Sequence, residues 1–145
     1  MGSVLLWKVF LFKQNKIKRT FNVTDIKFMA ALTTHVLDTA NGVPAKGIRI
    51  EIFKLHLSNR SKLRETITNK DGRTERPIRN EDQFVPGTYE LLFYIGEYFR
   101  EKNNLVEEPS FLDIVPIRFT ITSLNKSYHV PLLASPWGYT TYRGS

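Results

Sequence analysis

Three histidines, two arginines and the last residue are where this chain can do chemistry. His35, His56 and His129 are its only histidines, and it has no cysteine. An imidazole with an unperturbed pKa of about 6.5 exchanges protons near neutral pH and suits acid–base work. A guanidinium presents planar, paired donors that match an oxygen-rich or anionic ligand. Without cysteine, thiolate nucleophiles, disulfides and zinc–thiolate sites are excluded. A metal held by one to three histidines and carboxylates stays open, but no HExxH-type spacing supports it.

Each candidate has a plain structural reading beside the chemical one. His35 lies in Ala31–Asp38 (ALTTHVLD), on the face opposite Val36, with Thr33 and Leu37 as same-face neighbours. His129 lies in Tyr128–Leu133 (YHVPLL), sharing a face with Pro131 and Leu133, while Tyr128, Val130 and Leu132 point the other way. A lone strand histidine is more often a hydrogen-bonded structural residue than a catalyst. His56 opens the polar stretch His56–Ser61 and reads as solvated. Arg73 directly follows the turn pair Asp71-Gly72, where an arginine is most simply a surface charge. Arg143 is the lone cation of an aromatic, β-branched ending, Gly138–Ser145 (GYTTYRGS). Ser145 supplies a hydroxyl and the α-carboxylate. The sequence contains no glycine-rich phosphate loop, serine nucleophile elbow or paired-carboxylate arrangement.

The elements that must position these residues are short strands separated by turn signals. Strands are predicted over Ala31–Asp38, Ile48–Phe53, Lys62–Thr68, Thr88–Ile95, Ile114–Thr122, Tyr128–Leu133 and Gly138–Tyr142. Asn41-Gly42, Asp71-Gly72 and Pro86-Gly87 mark turns between them. Gly96–Asn104 reads as a turn or two of helix ended by asparagines, and residues 74–83 as a charged loop. Pro131 cannot donate to a ladder, so its strand is an edge or carries a break. Seven or eight short strands with one helix indicate an all-β, Greek-key sandwich of antiparallel strands. The apolar, aromatic ending implies a terminus tied into the fold.

At 145 residues, 41% of them apolar, the chain suits one domain with a real core plus an appendage. The net charge of +7 looks like a nucleic-acid signal until it is divided. Residues 1–28 carry six basic residues and one acidic, +5, whereas 29–145 carry fifteen and thirteen, +2. The near-balanced domain gives no case for nucleic-acid binding. The extension at 1–28 holds an apolar run, Val4–Phe12, that is interrupted by Lys8 and too short to span a bilayer. Its charges follow the run rather than precede it, unlike a secretory signal. It reads as a disordered or weakly membrane-associated arm, a presequence, or a stretch upstream of a native start at Met29. A cytoplasmic location is the default.

Together the candidates carry more than they do singly. Leu32–Ala45 (LTTHVLDTANGVPA), Asn69–Thr74 (NKDGRT), Gly96–Phe99 (GEYF) and Tyr128–Ser145 (YHVPLLASPWGYTTYRGS) resemble, in order, the motifs of the 5-hydroxyisourate hydrolases, the transthyretin-related enzymes. The resemblance runs over residues 30–145. The final Tyr142-Arg143-Gly144-Ser145 is its specific marker, because hormone-binding transthyretins end differently.

The resemblance implies a transthyretin-like sandwich and hydrolysis of an amide-like C–N bond in 5-hydroxyisourate, opening its six-membered ring to 2-oxo-4-hydroxy-4-carboxy-5-ureidoimidazoline in urate breakdown. It places catalytic roles on His35, Arg73, His129 and Ser145, and substrate binding on His35, Arg73, Tyr142 and Arg143. It implies no metal or organic cofactor. It also implies a homotetramer, a dimer of dimers, with the sites at the dimer–dimer interface. The competing expectation is a transthyretin-like carrier of a small ligand without catalysis.

Overall fold

The structure, a computed structural model, describes residues 30–78, 84–102 and 108–144. The basic extension at 1–28 and the terminal Ser145 lie outside the described residues, as do Asn103 and Asn104, expected to end the helix. In chain order the elements are β1 (Leu32–Thr33), β2 (Val36–Asp38), β3 (Val43–Pro44), β4 (Arg49–Leu55), β5 (Arg60–Ile67), β6 (Gly87–Phe93), α1 (Ile95–Lys102), β7 (Val115–Ile121), β8 (Tyr128–His129), β9 (Leu132–Ser135) and β10 (Gly138–Thr141).

One sheet has the order β5-β4-β6-β7, and every neighbouring pair in it is antiparallel. The other has the order β10-β9-β2-β3, with β1 paired to β8. Backbone bonds bridge the gaps in this second sheet: Val130 N–H donates to Thr33 O at 3.0 Å, and Leu132 N–H to His35 O at 2.9 Å. The segments β1 and β2 are therefore one interrupted strand, and so are β8 and β9, leaving eight strands among the described residues. The interruption in β8/β9 falls at Pro131, which has no N–H to give. The strand is internal to its sheet, so of the two readings of Pro131 the break is the one realised. Antiparallel pairing was expected throughout, but β1/β2 and β8/β9 run parallel. A Greek-key path brings the first strand beside a late one in the same direction. Alternation along a strand carries no information about this. Ile95, expected at a strand's end, instead begins α1, and Pro44, expected in a connection, pairs with Leu37 through β3.

The core fills the space between the sheets. Ile50, Ile52 and Leu91, from β4 and β6, are at most 2% exposed, as is Leu132 from β9. Val36, Tyr89, Phe93 and Phe99 are equally enclosed. Each such aliphatic or aromatic side chain contributes roughly 1.5–3 kcal/mol by leaving water. In β8/β9 the inward set is Tyr128, Val130, Leu132 and Ala134, all buried, which turns His129 to the outer face. In β1/β2 Leu32, Thr34 and Val36 are inward, turning Thr33 and His35 outward. Helix α1 presses Ile95, Tyr98 and Phe99 onto the core at a spacing of three and four residues. The Tyr98 hydroxyl donates to the buried Asp38 carboxylate at 2.9 Å, tying the helix to the end of β2.

Candidate active site

Arg73 reaches the second sheet through a closed turn. Asn69 N–H donates to Arg73 O at 2.8 Å, and Gly72 N–H to Asn69 O at 2.9 Å. The Asn69 Oδ1 accepts from the backbone N–H of both Asp71 and Arg73, at 3.0 and 3.1 Å. An asparagine amide that satisfies two backbone donors in this way fixes a turn without help from neighbours. The turn is docked by Val36 N–H donating to Gly72 O at 2.8 Å, and Arg73 bridges to His35 in antiparallel register. Gly72 has φ of +70°, a conformation that glycine adopts without strain.

His129 approaches His35 from the other side of the same strand. The parallel register sets Thr33 opposite His129, and the Thr33 Oγ1 lies 2.9 Å from His129 Nδ1. His35 is two residues along from Thr33 on the same outer face. Both imidazoles are held below the ordinary value of 6.5. For His35 the first cause is burial and the second the Arg73 guanidinium; the Asp71 backbone and carboxylate act in the opposite direction. For His129 burial again leads, followed by Arg73 and then by His35 itself, with a hydrogen bond to the Thr33 backbone opposing them. One guanidinium thus biases both rings toward the neutral form, in which an imidazole accepts a proton.

Two adjoining cavities meet at His129. One, of about 310 Å³, is lined by Thr33, Arg73, Ser127, Tyr128 and His129. The other, of about 330 Å³, is lined on one side by Tyr142, Arg143, Tyr128 and His129, and on another by Ile117 and Phe119. The C-terminal segment folds over this region: Gly144 N–H donates to His129 O at 2.9 Å, and the Arg143 guanidinium lies 5.3 Å from the centre of the Tyr128 ring. The terminus is therefore tied into the fold through Gly144. The structure brings together His35, Arg73 and His129, with Tyr142 and Arg143 beside them, while Ser145 lies outside the described residues. His56 stands apart and exposed, bonded to Ser61 Oγ at 3.3 Å, in a groove that none of the three lines.

Sequence reasoning placed no site role on Thr33, Ser127 or Tyr128. Alternation did put Thr33 on the face of His35. Its bond to His129 depends on the parallel pairing of strands 96 positions apart, for which the sequence carried no signal. Among the described residues no group of three or more His, Cys, Asp or Glu is placed to hold a metal ion. Nor is any helix among them long and apolar enough to cross a membrane.

An eight-stranded Greek-key sandwich whose outer sheet face carries two histidines and an arginine is a transthyretin-like domain with a polar site. The match to known proteins is equally definite. The chain belongs to the HIUase/Transthyretin family, whose model matches residues 32–144. It is 50% identical over 114 residues to 5-hydroxyisourate hydrolase 2 of Rhizobium meliloti, covering 79% of this chain and 95% of that protein. Among solved structures, it is 44% identical to (S)-allantoin synthase, with a TM-score of 0.75 over 81% of this chain. It spans only 44% of the length of that protein. The 5-hydroxyisourate hydrolase of Klebsiella pneumoniae matches with a TM-score of 0.62 at 29% identity, over 81% of this chain and all of that one.

Proposed function

We propose that this chain is a 5-hydroxyisourate hydrolase, and that the cluster of His35, Arg73 and His129 is its active site. The observation that carries the site assignment is that Arg73 pairs with His35 in antiparallel register and lines one cavity with His129. Three groups from three separate segments share one electrostatic environment on an otherwise ordinary sheet face.

The chemistry follows from the groups. One neutral imidazole takes a proton from water as the water oxygen attacks the substrate's amide-like carbonyl carbon. The carbonyl oxygen gains negative charge in the tetrahedral intermediate, and the Arg73 guanidinium stabilises it as a fixed cation. The C–N bond then breaks, and the leaving nitrogen takes a proton from the histidine that received one or from its neighbour. Tyr142 and Arg143 hold the ring from the adjoining cavity. Ser145, two residues beyond Arg143 and next to Gly144, supplies its hydroxyl to position water. None of these steps calls on a metal or organic cofactor.

The same reading includes a homotetramer, a dimer of dimers, with the sites between dimers. It is supported by where the site lies: on an outer sheet face, open on one side in the single chain. It is also supported by exposed aromatic groups along the same sheet's edge strand, Trp137 at 68% and Tyr139 at 46% in the β9–β10 hairpin and Tyr142 at 57% beside His129. Sedimentation or light scattering in solution reads the number of subunits. A soluble purine derivative as substrate goes with a cytoplasmic address, which cell fractionation checks.

The deciding assay generates 5-hydroxyisourate in place from urate with urate oxidase and follows its ultraviolet decay with and without this protein. Faster decay is expected. Decay at the uncatalysed rate would overturn the hydrolase and leave a carrier.

A further inference from the structure

We propose that Thr33 is a positioning residue: it holds the His129 ring with Nδ1 protonated and Nε2 bare, so that Nε2 is the atom that takes the proton from water. The second half of this statement rests on the hydrolase reading above; the first half does not.

The geometry fixes the ring from two sides. On one side the Thr33 Oγ1 lies 2.9 Å from Nδ1. That hydroxyl directs its own proton toward Tyr128 O, at 3.5 Å, which leaves its lone pairs to accept from the ring. The Thr33 backbone also hydrogen-bonds the ring, and it does so in the sense that favours the charged imidazole. Only a carbonyl accepting from a ring N–H acts in that sense. With its proton on Tyr128 O, the Thr33 hydroxyl faces Nδ1 as an acceptor, and the ring proton belongs there. On the opposite side the Cδ2 edge lies against Gly144, where an added methyl would sit 2.5 Å from Cδ2 and 3.1 Å from Cγ. A ring turned over about Cβ–Cγ would set Nδ1 against Gly144 and a C–H against the Thr33 hydroxyl. The remaining apex, Nε2 with Cε1, is what the site can use.

The consequence for catalysis is an ordered proton path. As Nε2 takes a proton, the imidazolium forms with Nδ1–H already bonded to the Thr33 hydroxyl, and that bond strengthens as the charge grows. Thr33 does not ionise; it opposes the charge of Arg73 at the moment the ring becomes positive. At His35 the corresponding partner is the Asp71 backbone rather than a side-chain hydroxyl.

Nitrogen NMR of the full-length protein, uniformly ¹⁵N-labelled, reads the tautomer directly from the ring-nitrogen shifts of His129, with no substrate present. The expected result is a protonated Nδ1 and a bare Nε2 above the ring's pKa. Thr33→Val should mix the tautomers and lower kcat at least about tenfold, part of the roughly 10²–10⁴-fold that a positioned acid–base group supplies. Its KM should move little. Thr33→Ser, which keeps the hydroxyl and the backbone, should restore both tautomer and rate. A wild-type ring protonated on Nε2 would overturn the proposal, as would Thr33→Val with the tautomer and kcat of the wild type. Should Thr33→Val fail to fold, the wild-type shifts and Thr33→Ser still decide. If 5-hydroxyisourate decay is not accelerated at all, the hydrolase reading fails while the tautomer measurement stands on its own.

Discussion

Gly144 donates its N–H to the carbonyl of His129 at 2.9 Å, and its Cα lies so near the imidazole that a methyl there would clash with Cδ2. Gly144 thus makes room for the imidazole through an atom it lacks. Gly144→Ala should push the terminal segment off the ring and lower turnover about tenfold or more, since the ring would lose one of its two flanking contacts. Stability should change by roughly 0.5 kcal/mol or less, because the contact lies at a half-buried chain end. A thermal melt beside the decay assay separates the two. A melt lowered in step with activity would return Gly144 to a purely structural role.

His35→Ala, Arg73→Ala and His129→Ala should each lower kcat by about 10²-fold or more, the scale of a lost acid–base group or oxyanion donor. The outer-face position of all three leaves the core intact, so circular dichroism should show folded proteins. His56→Ala should be nearly silent, because its partner is Ser61 and its groove is separate. A large loss at His56 with retained activity at His129 would move the site.

The two lowered histidine pKa values set a pH dependence with a definite sign. A base works deprotonated, so turnover should hold as pH falls to about 6.5, the ordinary imidazole value, and decline only through the depressed values below it. Folding stability follows the same window. Around the ordinary value the unfolded chain binds more protons than the folded one, so this contribution is fully present above 6.5 and is lost as pH falls through the folded pKa values. Arg73→Ala removes a cause that lowers both rings. Histidine titrations by NMR should then show both pKa values raised relative to wild type. A shift in only one ring would mean that Arg73 serves one histidine rather than a shared site.

Much of this was legible in the chain's alternation. Tyr128, Val130 and Leu132 inward dictates His129 outward, and Val36 inward dictates His35 outward, whatever the topology. The helix was expected one residue late, because Ile95 suits a strand's end as well as a helix's buried first turn. The parallel pairing of β1/β2 with β8/β9 was not legible. Periodicity assigns faces, and register is settled by which strands lie side by side. For that reason both histidines were candidates from the sequence, whereas Thr33, whose role exists only across the pairing, was not. Arg73 sits between the cases: Asp71-Gly72 announces a turn, but its docking on Val36 is a tertiary contact.

That docking gives a final test, on Gly72. At φ of +70° a β-carbon costs backbone strain, and here it would also sit 2.3 Å from the Val36 carbonyl oxygen and 3.2 Å from the His35 ring. The oxygen belongs to the backbone of a central strand and cannot swing aside as a flexible side chain would. Gly72→Ala should therefore cost roughly 1–3 kcal/mol of stability and carry Arg73 away from both imidazoles. Asn69→Ala is the control that adds no atoms. It removes the acceptor for the Asp71 and Arg73 N–H groups, loosening the turn while leaving its seat on β2 free of clash. Both variants should lower turnover and raise the two histidine pKa values toward 6.5, because both move the same charge. If Asn69→Ala lowered stability but left the titrations of His35 and His129 unchanged, the turn would be a structural closure, and the position of Arg73 would be set elsewhere.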